Sequence, residues 1–321
     1  LTCSGSFLLG FGGAWGISRI AGQIGLVDKP EDRSSHCQPT PRGGGGGILG
    51  ALVFSGLLLD LPWMYWVPAA CLSLFSFCDD FVPISPRARL LGQFLAVFGF
   101  LFPSLSHASL TFGIVIAAFF WGIFIVGAAN FYNFMDGIDG MAGITGTVGF
   151  SLLALFGHLS GNEINFSVFS ICLAAACLGF LPLNIPRARI FLGDVGSILL
   201  GFMYGVSSYV FSSSPAEFLV MICFLFPFLA DTLSTLFFRW RRGEKLFEAH
   251  RQHLYQILAN EFGLSHLKVS LIYGFIQAGI GVLALSLYLM VPGWIPLFFL
   301  VNFLAITYIF IAQIVRIEAA H

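Results

Sequence analysis

Residues 109–140 read SLTFGIVIAAFFWGIFIVGAANFYNFMDGIDG. The run 109–128 carries no charged side chain and is about as long as the roughly 20 apolar residues that cross a bilayer core. Backbone groups in lipid must be satisfied within the segment, which predicts a helix. The polar string that follows is of another kind. Asn130, Asn133 and Asp136 are spaced by three, so a continuing helix would align them on one face. Gly137 and Gly140 predict a break in that helix, next to Asp139. Asparagine offers both a donor and an acceptor, which suits a nucleobase edge or a metal.

Outward from this stretch the chain repeats the pattern. Of its 321 residues 57% are hydrophobic and only 10% charged, against about 25% charged in a soluble domain. About eleven apolar runs (ten at the least) can be placed, near 2–18, 46–60, 62–77, 90–106, 109–128, 141–158, 166–183, 195–213, 217–237, 267–290 and 294–315. The expected fold is an all-α integral membrane protein, one polytopic domain over residues 1–321, with a long cytoplasmic loop at 239–266. Threaded in order, the runs place all 15 Lys and Arg on one side, although the net charge is only -1. The positive-inside rule then puts the N-terminus outside and the C-terminus in the cytoplasm. The seven cysteines lie mostly within apolar runs and lack CxxC spacing, so they read as small buried hydrophobes rather than disulfides or metal ligands. The chain opens on Leu1, which fits a trimmed start, and the absence of a basic n-region argues against a cleaved signal peptide.

Five loops fall on the charged side, each with an unusual polar string. The first runs from Asp28 to Arg42 and into five glycines, Gly43 to Gly47. It reads either as a hinge or as a backbone cradle for phosphate beside Arg42. The second opens with Asp79 and Asp80, adjacent carboxylates that repel unless a cation compensates. Arg87 and Arg89 are one such source of charge, a bound Mg²⁺ another. The third is the string already quoted. In the fourth, Asp194 lies between Gly193 and Gly196 and reads as a helix N-cap or a metal ligand. The fifth carries His250, Arg251 and His253, a cationic clamp for a diphosphate or a patch facing anionic lipid. Asp231, inside a run, is expected to support the floor of the site by pairing an arginine.

The strings DKPEDRSSHCQPTPRGGG, DD with Arg89 and Gln93 behind it, NFYNFMDGIDGMAG, ARIFLGDVGS and AHRQHLYQ occur in that order over residues 28–256. Together they resemble the polyprenyl-phosphate N-acetylhexosamine-1-phosphate transferases. The PTPR and HRQHLYQ versions look more like the bacterial branch that initiates O-antigen or common-antigen synthesis. The resemblance implies transfer of a sugar phosphate from a UDP-N-acetylhexosamine to undecaprenyl phosphate in the bacterial inner membrane, with release of UMP and initiation of lipopolysaccharide O-antigen or a related envelope glycan. It also implies Mg²⁺, with Mn²⁺ as a substitute, a homodimer as one option, and no nucleic-acid partner.

The resemblance gives each polar residue an expected role. Asp194 ligates the metal, with Asn133 and the Asp79–Asp80 pair, Asp80 above all, completing the shell. Asp79, Asp80 and Asp194 form the catalytic set. Arg42, His250, Arg251 and His253 hold the diphosphate and lipid phosphate, while Asn130, Asp136 and Asp139 lie on the nucleotide side. A phosphate monoester has a second pKa of about 6 and is largely dianionic at neutral pH, so one in-line displacement is favoured over a route in which Asp80 attacks first. Two other classes fit less well. A prenyltransferase would carry two widely spaced DxxxD motifs. A secondary transporter would place its acids near the midplane, within two-fold repeats.

Overall fold

A computed structural model describes residues 1–30, 38–79, 81–82, 84–106, 111–161, 164–245 and 251–319. Each apolar run folds as helix. In chain order these are α1 (Thr2–Ile24), α2 (Gly46–Leu58), α3 (Val67–Asp79), α4 (Pro86–Ser106), α5 (Phe112–Phe134), α6 (Met141–Leu159), α7 (Ile164–Asn184) and α8 (Asp194–Phe211). They continue as α9 (Pro215–Phe224), α10 (Phe226–Arg241), the short α11 (Leu254–Asn260), α12 (His266–Met290) and α13 (Ile295–Glu318).

Among the described residues, seven helices are long and apolar enough to cross a membrane: α4 to α8, α12 and α13. The count is eight if α9 and α10 form one broken span, bent by 83°. The other runs fold as the 23-residue α1 and as α2 and α3, 13 residues each. Thirteen residues reach about 20 Å, short of a bilayer core.

The bend within 217–237, expected as one helix, has a local cause. Pro227 lacks the N–H that would carry the hydrogen-bond ladder from α9 into α10. Carbonyls near the break find side-chain partners. Gln277 Nε2 donates to the Phe224 oxygen at 2.8 Å, and the Tyr204 hydroxyl donates to the Met221 oxygen at 2.5 Å. Irregular backbone at membrane depth persists where neighbouring helices re-satisfy it in this way.

The core is built on close backbone approach. A Cβ on Gly10 of α1 would collide with the Ala176 carbonyl of α7, and one on Gly179 of α7 with the Phe7 carbonyl of α1. Small residues thus let α1 and α7 pack almost backbone to backbone. Around them a layer of buried Phe150, Phe156, Phe166, Phe169, Phe180 and Phe211 fills the interior. The polar strings gather at one end of the helices. There β1 (Val27–Asp28) pairs antiparallel with β2 (Thr40–Pro41) and pins the two ends of the first loop.

Candidate active site

The second and fourth strings meet through α4. Its first turn carries Arg89, whose Nε lies 2.5 Å from Asp79 Oδ2 and whose Nη1 lies 3.5 Å from Asp194 Oδ2. The other Asp79 oxygen accepts the Ile84 N–H at 2.6 Å. Asp79 is therefore buried and fully engaged, with 3% of its side chain exposed, whereas Asp194 keeps 31%. Of the two arginines expected to balance Asp79, Arg89 does so and Arg87 is exposed. Asp80 lies outside the described residues.

Asp194 is not the N-cap of α8. Gly193 takes that place, at φ 74, and Asp194 is the first helical residue. Its carboxylate is directed elsewhere, with Arg89 and Arg42 as cationic neighbours and the Asn133 side chain in hydrogen-bonding reach. One turn further along α8, Ser197 Oγ donates to Asn133 Oδ1 at 2.8 Å. Asn133 thus sits between two residues on one face of α8.

The third string divides where its glycines predict. α5 ends at Phe134, so Asn130 and Asn133 share the helix while Asp136 lies past its end. Asn130 exchanges two hydrogen bonds with Gln93 of α4, at 2.7 and 3.3 Å. Arg89 and Gln93 are four apart on α4, so one face of that helix holds Asp79, Asp194 and Asn130 together. Burial first, and then the charges of Asp194 and Asp139, push the Asp136 carboxyl well above the usual carboxylate range. Asp139, expected on the nucleotide side, is buried and lies 3.2 Å from His266 Nδ1 of α12, while the Ser270 hydroxyl donates to its carbonyl at 2.8 Å. Next to it, Gly140 donates its N–H to Asn184 Oδ1 at 2.7 Å, and Asn184 donates in turn to the Ile190 carbonyl at 3.0 Å.

The glycine run of the first loop is not a free phosphate cradle. Gly44 and Gly45 donate their N–H groups to the carbonyls of Phe191 and Leu192, at 2.9 and 2.8 Å. A side chain on Gly45 would drive into the backbone of Gly196 in α8. The glycines bring the start of α2 against the start of α8, which sets Arg42 beside Asp194. Arg42 is half-buried at the end of β2, and its N–H donates to the Leu26 carbonyl at 3.0 Å.

The fifth string arrives on α11. His253, expected in the cationic clamp, is only 3% exposed, and its Nδ1 lies 3.4 Å from Asp231 Oδ1. Arg251 lies 3.6 Å from Glu261. His250 is outside the described residues. Tyr255, which sequence reasoning passed over, donates its hydroxyl to the Phe134 carbonyl at 2.9 Å and so ties this string to the end of α5. Burial and then the charges of Asp231 and Asp136 raise the Tyr255 phenol well above its ordinary value, so it remains a donor. Asn184, Ser197 and His266 were missed likewise, and Gln93, although quoted behind the Asp79–Asp80 pair, was given no role. Their signal in the sequence is only a polar side chain beside or within an apolar run.

Among the described residues no group of three or more His, Cys, Asp or Glu is placed to hold a metal. The donors at the centre are hard oxygens, Asp194 and Asn133, beside Asp79. One or two carboxylates completed by water and substrate phosphate is the usual provision for Mg²⁺, and two clustered carboxylates with one bridging arginine fit such an ion.

Beside the site runs an apolar groove of about 550 Å³ between α5, the α9–α10 bend and α13, lined by Phe124, Phe131, Phe226, Leu233, Phe237 and Ile309 among others. Phe131, which lines the groove, and Asn130, which faces Gln93 of α4, are consecutive on α5 and lie on different faces of that helix.

The sequence is similar to those of known proteins. Glycosyl transferase family 4 matches residues 62–212, the stretch from Asp79 to Asp194 included. The decaprenyl-phosphate N-acetylglucosaminephosphotransferase of Mycobacterium tuberculosis H37Rv is 29% identical over 302 residues, 80% of this chain and 74% of its own. The undecaprenyl-phosphate alpha-N-acetylglucosaminyl 1-phosphate transferase of Escherichia coli K12 is 29% identical over 308 residues, 87% of this chain and 82% of its own. A probable undecaprenyl-phosphate N-acetylglucosaminyl 1-phosphate transferase of Bacillus subtilis 168 is 27% identical over 279 residues, 81% of this chain and 77% of its own.

Proposed function

We propose that this chain, which is similar over most of its length to polyprenyl-phosphate N-acetylglucosamine-1-phosphate transferases, is a member of that family and moves an N-acetylhexosamine-1-phosphate from its UDP-sugar to undecaprenyl phosphate. An acceptor phosphate oxygen attacks the sugar-bearing phosphorus of the UDP-sugar. The bond from that phosphorus to the oxygen bridging the two phosphates breaks, and UMP leaves. The observation that carries this is the convergence of Asp79, Arg89, Asn133 and Asp194 where apolar helices end, next to a groove fit for a hydrocarbon chain.

Several phosphate charges meet in this reaction, so positioning and electrostatics dominate it. Asp194 and Asn133 are the residues that would hold Mg²⁺, joined by Asp80. When bound, the ion neutralises charge building on the phosphates. Arg42 and Arg89 supply fixed positive charge at the same place, and Arg251 adds to it from the fifth string. Asp79, held from both oxygens, orients Arg89 rather than attacking phosphorus. Asn130 and Asp136 flank the nucleotide side, and Asp139 anchors that loop to α12. His253 faces Asp231, so it serves the clamp by shaping the turn beside Arg251. The groove receives the polyprenyl chain, which lies along apolar walls while its phosphate reaches the polar end.

The charge asymmetry of the loops supports a multi-pass arrangement in a bacterial inner membrane, with the polar strings on the cytoplasmic side where UDP-sugars are available. The PTPR and HRQHLYQ strings support a role in starting O-antigen or a related envelope glycan. The test is UMP release by purified protein in detergent, with undecaprenyl phosphate, Mg²⁺ and a panel of UDP-N-acetylhexosamines, alongside Asp194→Asn. Release that needs lipid and metal and disappears in the variant is the expected result. Release of no UMP by folded wild-type protein with any donor would overturn the proposal.

A further inference from the structure

Asp231 lies within α10, is fully buried, and belongs to none of the five loop strings. An arginine was expected as its partner, but a converging set of donors meets it instead. Oδ1 accepts the Leu254 N–H at 2.9 Å and the Thr235 hydroxyl at 3.2 Å, and lies 3.4 Å from His253 Nδ1. Oδ2 accepts the Tyr273 hydroxyl at 2.7 Å and the Tyr255 N–H at 3.2 Å.

Thr235 apart, these groups come from two further elements, and a third closes around them. Leu254 and Tyr255 open α11, where helical N–H groups have no partner within the helix. Tyr273 belongs to α12, and its hydroxyl is 3.1 Å from that of Tyr308 on α13. Arg316 of α13 closes the arrangement, donating to Thr235 Oγ1 at 2.9 Å and to the Gln252 carbonyl at 3.3 Å. A buried carboxylate in such a setting makes short, directional, charge-assisted hydrogen bonds. It also fixes which nitrogen of the paired imidazole bears the proton and how the ring is turned. The His253 ring stacks on Tyr255, centroids 5.7 Å apart, and Tyr255 reaches the end of α5 one residue beyond Asn133.

We propose that Asp231 is a positioning residue for the transfer: through His253 and the first N–H groups of α11 it holds the 251–255 turn against the end of α5. This rests on the transferase function proposed above. Arg251 is presented by that turn, and Asn133 and Asp136 lie beside the carbonyl that Tyr255 holds. A relaxed turn therefore displaces cationic charge and metal-side ligands together.

Asp231→Asn keeps the size of the side chain but leaves one acceptor oxygen where two are used. Its kcat for UMP release falls by about 100-fold, the scale of an ångström-sized misplacement of catalytic groups. In the double variant with His253→Gln the loss matches the larger single loss, because both act as one unit. Independent packing roles would give multiplied losses and overturn the proposal. A second readout is diethyl pyrocarbonate modification followed by peptide mass mapping. His253 is protected in the wild type and becomes reactive in Asp231→Asn, while Cys177 and Cys223 stay closed to N-ethylmaleimide. Unchanged protection of His253, or wild-type kcat in the variant, sinks the idea.

If Asp231→Asn does not fold, Tyr255→Phe removes only the hydroxyl that reaches Phe134. It should lower kcat about tenfold at an unchanged melting temperature, and full activity there overturns the proposal. Absence of UMP from wild-type protein would instead defeat the transferase function, and the His253 footprint would still decide whether Asp231 holds the turn.

Discussion

Asp79 and Asp194, far apart in the chain, are joined by one side chain: the Arg89 guanidinium meets the first at 2.5 Å and the second at 3.5 Å. Its planar fork can address two carboxylates at once, which an ammonium on a flexible stem does poorly. Arg89→Ala should therefore lower kcat by about 100-fold and Arg89→Lys by about tenfold, judged by removal of one preorganised charge from a phosphoryl-transfer site. UMP release by the purified variants checks both. Equal rates for lysine and arginine would mean that the bridge is dispensable.

The burial of Asp79 bears on the order of bond making. A carboxylate with 3% exposure and both oxygens engaged is a poor nucleophile. Enzyme mixed with UDP-sugar in the absence of lipid should release no UMP in a single-turnover quench, and no labelled phosphate should remain on the protein. Stoichiometric UMP without acceptor would establish a covalent step, with Asp80 as the nucleophile to test.

How far the sequence carried this reading depends on the kind of signal. Apolar runs long enough for a bilayer announced their helices, and Gly137 and Gly140 announced the end of α5, because both are local properties of the chain. Asp79, Asn130, Asn133 and Asp194 stood out because polar groups at the mouths of apolar helices are costly without a purpose. The break at Pro227 lay in plain view but depends on whether Gln277 and Tyr204 rescue the freed carbonyls, which is a tertiary fact. His253 was read as a phosphate ligand because it stands in one cationic string with His250 and Arg251, but its ring lies against Asp231 on another helix. The contacts of Tyr255 and Gln93 were invisible for the same reason: their partners, Phe134 and Asn130, lie far away in sequence.

The glycine run offers a test of packing apart from chemistry. Gly45→Ala places a methyl group against the Gly196 backbone, which has no flexible end to move aside. Overpacking of this kind costs about 1–3 kcal/mol, so the variant should melt several degrees lower in detergent. Gly50→Ala, where nothing lies within 4 Å of the added carbon, serves as the control and should melt with the wild type. Equal melting of the two variants would show that α2 and α8 do not approach so closely.

Asp136 provides a pH dependence whose sign can be worked out. Its carboxyl titrates near 3.8 in the unfolded chain and well above that in the folded protein, because of burial and the charges of Asp194 and Asp139. Below the unfolded value both states hold the proton, so stability linked to it is fully present. As pH rises the unfolded chain ionises first, and that stability is lost progressively until the folded pKa is passed. Asp136→Asn carries no such charge at any pH. It should melt close to the wild type near pH 4 and above it at neutral pH, with a gap that widens between those limits. Thermal unfolding in detergent at a series of pH values measures the gap directly. The same variant should lose activity, since an amide cannot replace the ionisable carboxyl proposed to flank the nucleotide. A gap independent of pH would mean that Asp136 ionises in the folded protein as easily as in the unfolded chain.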